Sequence, residues 1–551
     1  MALLLFMTLA AWSMGSAVGS SPDEDYVLTS IWCGTEGNPP YCRKDPDRAN
    51  SMIVPMMVAE PSKCYLSQGQ AQSAGCQIAI KELETTTSNY NTINYPKAYF
   101  NVTRQLVSPF VEASVVKIRL LNSLMAVALI FISASLIKNF KIDTFLSWLA
   151  VVSPGTFYYI ASVNTSSWTI VGVTCFVFSA LAIIQNQKNA LIQSFAAVCM
   201  LCSIFFAAGS RFEGKYFLLL FTLAIVSSTI FQQKLVDTKS LMISAIFWTL
   251  FLLLFFIGRD IASSHLVSFE LLRDSRLKWV ALVLSGSLAL TKHARQLLQF
   301  KRKTIIFGGL VIAGLFLVYD RTSRAFIRID ILNDSRSQVD EGIITTANNL
   351  LINNFLNLPR FVMGFFGSWG LGWFELEMTH TVWLLTLQAF LLTTVFALRK
   401  SNYADKAIFV FIVAIMCVAI LYANQQTFTP IGQVIQPRYF LPFFLGIVII
   451  AAANKTERYP NSLVITVAIL ATISNSIALR DTIRRYTTGQ DVFISKSLND
   501  PIEWWWQFGP KPETVWLIGT LAFAALWALL IYDRNKNEVD APKSPTPELA
   551  N

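Results

Sequence analysis

Apolar stretches of about twenty residues recur along nearly the whole chain, and no single soluble core could absorb them. The first covers Ala2 to about Gly19. Others follow near 112–137, 143–162, 168–185, 190–208, 215–231, 240–258, 277–291, 304–319, 380–398, 406–423, 438–453, 462–479 and 514–532. The pattern predicts an all-α polytopic membrane protein with about 14 transmembrane helices. The span at 277–291 is short, and its place is set mainly by the basic loop after it. Composition agrees, because 54% of the residues are hydrophobic and only 14% are charged.

Where the charges fall decides what the net charge of +10 means. Basic residues collect in alternate short loops: Lys138 and Lys141, Lys188, Lys234 and Lys239, the run from Lys292 to Lys303, Arg399 to Lys406, Lys455 and Arg458, and Arg534 with Lys536. That spacing is an insertion signal and not a nucleic-acid-binding face, so no nucleic-acid partner is expected. It puts both termini in the cytoplasm of a plasma-membrane protein and the long loops outside.

The chain divides accordingly. It has a first helix or uncleaved signal anchor (1–19), an extracytoplasmic subdomain (20–110), the first part of a bundle (111–319) and a loop with an amphipathic helix (320–379). A second part of the bundle (380–479), a further outer loop (480–513), a last helix (514–532) and a cytoplasmic tail of disordered composition (533–551) complete it. The first run could instead be a signal peptide ending near Ser16-Ala-Val-Gly19. The missing basic n-region and the acidic cluster that follows at once favour a retained helix.

Cysteines separate by environment. Cys33, Cys42, Cys64 and Cys76 share the first outer region, whereas Cys175, Cys199, Cys202 and Cys417 lie inside apolar runs. The first four read as two disulfides in an oxidising compartment, and spacing favours Cys33 with Cys42 and Cys64 with Cys76. A zinc site is the competing idea, but the CxxC spacing is missing among them. Cys199-Met-Leu-Cys202 has that spacing without a second pair, so it reads as apolar packing.

In the long loops, Ile343 to Phe366 has apolar residues at near-helical spacing, as in a helix on the membrane surface. Arg480, Arg484, Arg485, Tyr486 and Trp504-Trp-Trp506 read as an interfacial anchor. Asn101-Val-Thr103 is formally a glycosylation sequon.

Signatures of soluble enzymes are missing: no GxGxxG, GxxxxGK[ST] or HExxH, and no GxSxG at a strand-to-helix turn. Only His265, His293 and His380 offer an imidazole. The outer face has carboxylates and guanidiniums instead. Asp23, Glu24 and Asp25 form a tight acidic cluster after the first run, where they could act as a general base or cap a helix. Asp23 and Asp25 could also hold a divalent cation, Mg or Mn, and the sequence leaves metal dependence open. Arg438 beside Gln436, with Arg119 and Arg211, could grip a phosphate at headgroup level. Snorkelling is the plainer account of each arginine, and Arg211 could simply pair with Glu213.

Several blocks carry a resemblance to a known family. Ser21-Pro-Asp-Glu-Asp-Tyr-Val-Leu-Thr-Ser-Ile-Trp-Cys33, Tyr95-Pro-Lys-Ala-Tyr-Phe100, Ser153-Pro-Gly-Thr-Phe-Tyr-Tyr-Ile-Ala-Ser-Val-Asn164, Gly364-Phe-Phe-Gly to Gly372-Trp-Phe374, Gln436-Pro-Arg-Tyr-Phe-Leu-Pro442 and Arg484-Arg-Tyr-Thr-Thr-Gly489 resemble the bacterial family of domain of unknown function 2142. That family is similar in architecture to the GT-C superfamily of membrane glycosyltransferases that use polyprenyl-phosphate-linked sugars. The resemblance implies a catalytic carboxylate in the first outer loop, at Asp23, Glu24 or Asp25, and a donor phosphate facing Arg438. Where family members commonly carry His, this chain has Val27, so a mechanism needing that imidazole is not expected. The expectation is transfer of a sugar from a polyprenyl-phosphate donor to an envelope glycan or glycolipid, among membrane lipids. The alternatives are a transporter or flippase of lipid-linked or small solutes, and a partner in envelope assembly.

Overall fold

The structure is a computed structural model that describes residues 1–34, 37–38, 41–66, 72–91, 95–138, 141–186, 189–232, 347–401, 403–453, 455, 457–490 and 497–539. The expected spans at 240–258, 277–291 and 304–319 lie outside the described residues. So do Lys188, Lys234, Lys239 and the run from Lys292 to Lys303. The chain forms two compact units, 1–221 with 317–551, and 222–316. Of the second unit, only the end of one helix is described.

Seven helices among the described residues are long and apolar enough to cross a membrane. In chain order the helices are α1 (Ala2–Met14), α2 (Glu24–Cys33), the short α3 (Met56–Ala59), α4 (Lys63–Leu66), α5 (Gln77–Ile80) and α6 (Ala98–Thr103), then α7 (Val111–Ser135), α8 (Lys141–Val151), α9 (Pro154–Ile160), α10 (Thr165–Gln185), α11 (Ala190–Ser210) and α12 (Glu213–Gln232). After the next described residues begin come α13 (Ala347–Gly364), α14 (His380–Arg399), α15 (Tyr403–Gln426), α16 (Leu441–Ala453), α17 (Asn461–Thr487) and α18 (Pro512–Val539).

Several boundaries differ from the sequence reading for local reasons. The expected span at 143–162 is two helices, because Pro154 has no N–H to continue α8 and Ser153 caps α9 by accepting from the Thr156 N–H at 3.2 Å. α1 ends at Met14, and the chain beyond it turns toward α2. α16 starts at Leu441, after a 3-10 turn over Pro437–Tyr439, so it is shorter than expected. α17 runs on to Thr487, which puts Arg484 and Arg485 in a helix and not in a loop. α18 continues to Val539, into the expected tail.

The region between α1 and α7 contains a folded subdomain. Its antiparallel sheet, ordered β1 (Arg43–Lys44), β2 (Met52–Pro55), β3 (Glu84–Thr87), pairs Arg43 with Ile53 and Met52 with Thr87. Met52 and Val54 alternate inward, as the two-residue period of a strand requires. The disulfides are Cys33–Cys42 and Cys64–Cys76. Leu28, Ile31, Trp32, Tyr65 and Tyr99 share a core with Val115, Ile118 and Trp168, so the subdomain sits on α7 and α10. The formal sequon falls in α6, where Thr103 is buried.

Polar side chains join the helices at depth, where water cannot compete. Trp12 Nε1 donates to Asn475 Oδ1 at 3.0 Å, and Trp168 Nε1 donates to Asn122 Oδ1 at 3.0 Å. α10 and α11 approach so closely at Gly172 that a Cβ there would stand 2.5 Å from the Ala207 nitrogen. Gly172→Val should therefore cost about 1–3 kcal/mol through overpacking, read as a lower thermal midpoint in detergent.

Some expected surface groups are buried. Lys455 and Arg534 meet Asp143 at 3.4 and 2.8 Å, with all three side chains nearly inaccessible. They join the start of α8, the α16–α17 connection and the end of α18; burial draws Lys455 down to about 8. Trp504 and Trp506 are also buried, with Trp506 Nε1 donating to the Met14 carbonyl at 2.8 Å. Trp506 is thereby tied to the end of α1, and Trp504 packs edge-on against Trp506.

Candidate functional site

The three adjacent carboxylates have three different environments. Glu24 is fully buried and faces Arg119, whose Nη2 lies 3.0 Å from Oε1. The same guanidinium donates to the carbonyls of Ser13, Ser16 and Ala17 at 3.2, 2.6 and 2.8 Å, the acceptors left over where α1 ends. Glu24 Oε2 also accepts from the Ser21 N–H at 2.9 Å. Glu24 and Arg119 thus clamp the turn from α1 to α2. Arg119 has no face open to a phosphate, and Glu24 none open to an acceptor hydroxyl.

Asp23 stands at the start of α2 with φ of +62°, a conformation rare for a non-glycine residue. Its carboxylate pairs with Arg438, which lies 415 residues away in sequence. Arg438 Nη1 donates to the Pro22 carbonyl at 2.9 Å and Nη2 to the Tyr439 hydroxyl at 3.2 Å, while Nε is buried with no partner. The arginine is 1% exposed and Asp23 40% exposed, so the carboxylate is the member free to swing away. Gln436 Oε1, two residues before Arg438, is likewise buried without a partner.

Asp25 has no cation against it among the described residues. It accepts from the Tyr26 N–H at 2.8 Å. Burial pushes its carboxyl up to about 6, Asp23 adds repulsion, and the Tyr26 hydrogen bond pulls the other way. At neutral pH it is ionised yet basic enough to take a proton, as a general base must be.

Arg438 also lines a cleft with Ser153, Gly155, Tyr159, Phe365, Gly370, Leu371 and Phe374. Three sequence blocks far apart in the chain, 153–159, 364–374 and 437–441, therefore meet around one guanidinium. The 364–376 turn is held by a Trp373 Nε1 hydrogen bond to the Gly19 carbonyl at 2.8 Å. It also carries Glu375, a residue the sequence reading did not single out. Tyr486 donates to Glu375 Oε1 at 2.9 Å, Oε2 is buried with no partner, and burial raises the carboxyl. Gly372 makes room for it, since a Cβ there would lie 2.4 Å from Oε2. The Gly-rich run before Glu375 was the available signal.

Arg211 joins the same group of residues. It pairs with Glu213 at 3.0 Å, as the short loop suggested, and its guanidinium carbon lies 4.7 Å from the Tyr439 ring centre. α13, which leads into the cleft at Gly364, is amphipathic as expected. Asn354 is buried against Thr429 and Ile431, whereas Leu351, Ile352, Phe355 and Leu356 are exposed. Among the described residues no group of three or more His, Cys, Asp or Glu side chains could hold a metal ion.

A family model described as predicted membrane protein, DUF2142, matches residues 6–253 and 218–447. No curated protein and no solved structure matches the chain.

Proposed function

The chain belongs to the DUF2142 family of predicted membrane proteins, and we propose that it is a GT-C-like glycosyltransferase of the plasma membrane. In this reading about fourteen spans place the Asp23–Arg438 site at the outer face, with both termini in the cytoplasm. The donor is a polyprenyl-phosphate sugar and the acceptor a hydroxyl of an envelope glycan or glycolipid.

The observation that carries the reading is the pairing of buried Arg438 with half-exposed Asp23, which stands two residues before Asp25, the carboxylate that among the described residues has no cation against it. The acceptor oxygen attacks the anomeric carbon while the bond from that carbon to the phosphate oxygen breaks, its electron pair leaving with the phosphate. The acceptor proton passes to Asp25, and Arg438 stabilises the charge that develops on the leaving phosphate. Attack opposite the leaving group inverts the anomeric centre. Asp23 holds Arg438 in place until the phosphate arrives, and Arg119 and Glu24 fix the turn that carries both aspartates.

Purified protein in liposomes, given a polyprenyl-phosphate hexose and an envelope glycan, should form a new glycosidic product. Arg438→Lys keeps the charge but loses the planar fork, and should lower the rate by about 10²–10³-fold. A folded Arg438→Lys variant with the wild-type rate would remove Arg438 from the mechanism.

A further inference from the structure

We propose that the phosphate group recognised here is a diphosphate, with one phosphate at Arg438 and the other at Arg211. This inference rests on the lipid-phosphate reading above and narrows its substrate class. Both guanidiniums are assembled around one ring, since Arg438 lies 5.0 Å and Arg211 4.7 Å from the centre of Tyr439. Tyr159 lies 5.9 Å from Arg438 and Tyr95 5.4 Å from Arg211, so each cation rests between two tyrosines.

The charges are arranged the same way at both positions. Arg438 and Arg211 are 1% and 7% exposed, whereas their partners Asp23 and Glu213 are 40% and 41% exposed. A buried cation with a half-exposed counterion suits exchange, because the carboxylate can swing into solvent as a phosphate takes its place. Each arginine keeps a hydrogen bond during that exchange. Arg438 Nη1 holds the Pro22 carbonyl at 2.9 Å, and Arg211 Nη1 holds the Ser166 hydroxyl at 3.4 Å. The edge that faces Glu213, Nε and Nη2 at 3.3 and 3.0 Å, is the two-donor fork that matches a phosphate.

Charge count then separates the candidate ligands. Two displaced carboxylates leave two positive charges. A lipid monophosphate ester of a sugar carries one negative charge, and the corresponding diphosphate carries two. Only the diphosphate replaces both carboxylates without stranding a buried cation. In the transfer step the leaving group is then the polyprenyl diphosphate, which takes the electron pair of the broken bond.

The test compares a polyprenyl-phosphate hexose (the monophosphate) and the corresponding polyprenyl-diphosphate hexose (the diphosphate) as probes, binding to the full-length protein in nanodiscs. Wild-type protein should bind the diphosphate about tenfold or more tightly than the monophosphate, the size of one added charge-assisted contact. Arg211→Gln should erase that preference and leave monophosphate binding in place. Glu213→Gln, which removes the competing carboxylate, should strengthen diphosphate binding. Equal affinities in wild-type protein, a preserved preference in Arg211→Gln, or no gain in Glu213→Gln would overturn the inference and leave the lipid-phosphate reading intact. Binding of neither probe would overturn both.

Discussion

Asp25→Asn should remove sugar transfer almost completely, by about two to four powers of ten, the usual loss when a general base is deleted. The folded protein should persist. Burial raises the Asp25 carboxyl from 3.8 to about 6, so the folded state binds that proton more readily than the unfolded chain. Its stabilising effect is full below the unfolded value and is lost as pH rises through about 6. At pH 7 the charged form is therefore a burden, and Asp25→Asn should melt at a higher temperature than wild type. Wild-type transfer should fall about tenfold per pH unit below about 6 as the base protonates. Equal rates in the variant and wild type, or a flat acid limb, would remove Asp25 as the base.

Glu24→Ala, one residue away, should do the opposite. It leaves Arg119 buried opposite no anion, a change that costs about 3–5 kcal/mol. The expected readout is a sharp fall in protein level and thermal midpoint, measured before any assay of activity. Glu24→Leu combined with Arg119→Met should recover part of the loss, because an apolar pair no longer strands a charge. If Glu24→Ala folds normally, the clamp does not hold the α1–α2 turn.

The contrast between these neighbours shows what the sequence could and could not tell. Asp23, Glu24 and Asp25 read as one cluster in the sequence, because charge and spacing do not reveal which of them is buried. Arg119 separates Glu24 from the other two, and it does so from a helix about a hundred residues downstream. Arg438 was legible as a phosphate candidate from Gln436-Pro-Arg438, but its pairing with Asp23 depends on contacts spanning most of the chain. Cysteine spacing was informative because both disulfides close short loops of 9 and 12 residues. Helix ends were less legible. Pro154 splits an expected span, and Lys455 and Arg534, which look like solvated loop cations, lie buried on Asp143.

Arg211 was harder to read than Arg438. In sequence it has an obvious partner two residues away, and the pair forms as expected. Only the structure shows that the pair shares the Tyr439 ring with Arg438, making a self-contained pair one half of a two-cation arrangement. Glu375 was hidden for a different reason. A lone carboxylate at the end of a Gly and aromatic run carries no motif until Tyr486 is seen to reach it.

The most direct test of the central claim is an electron cryomicroscopy map of the protein in nanodiscs with a polyprenyl-phosphate sugar. Phosphate density is expected against Arg438 in the Tyr159–Phe374 cleft, with Asp23 rotated away and the sugar beside Asp25. Phosphate density along a central path through the helices, with the Asp23–Arg438 pair still closed, would contradict that claim and favour a transporter.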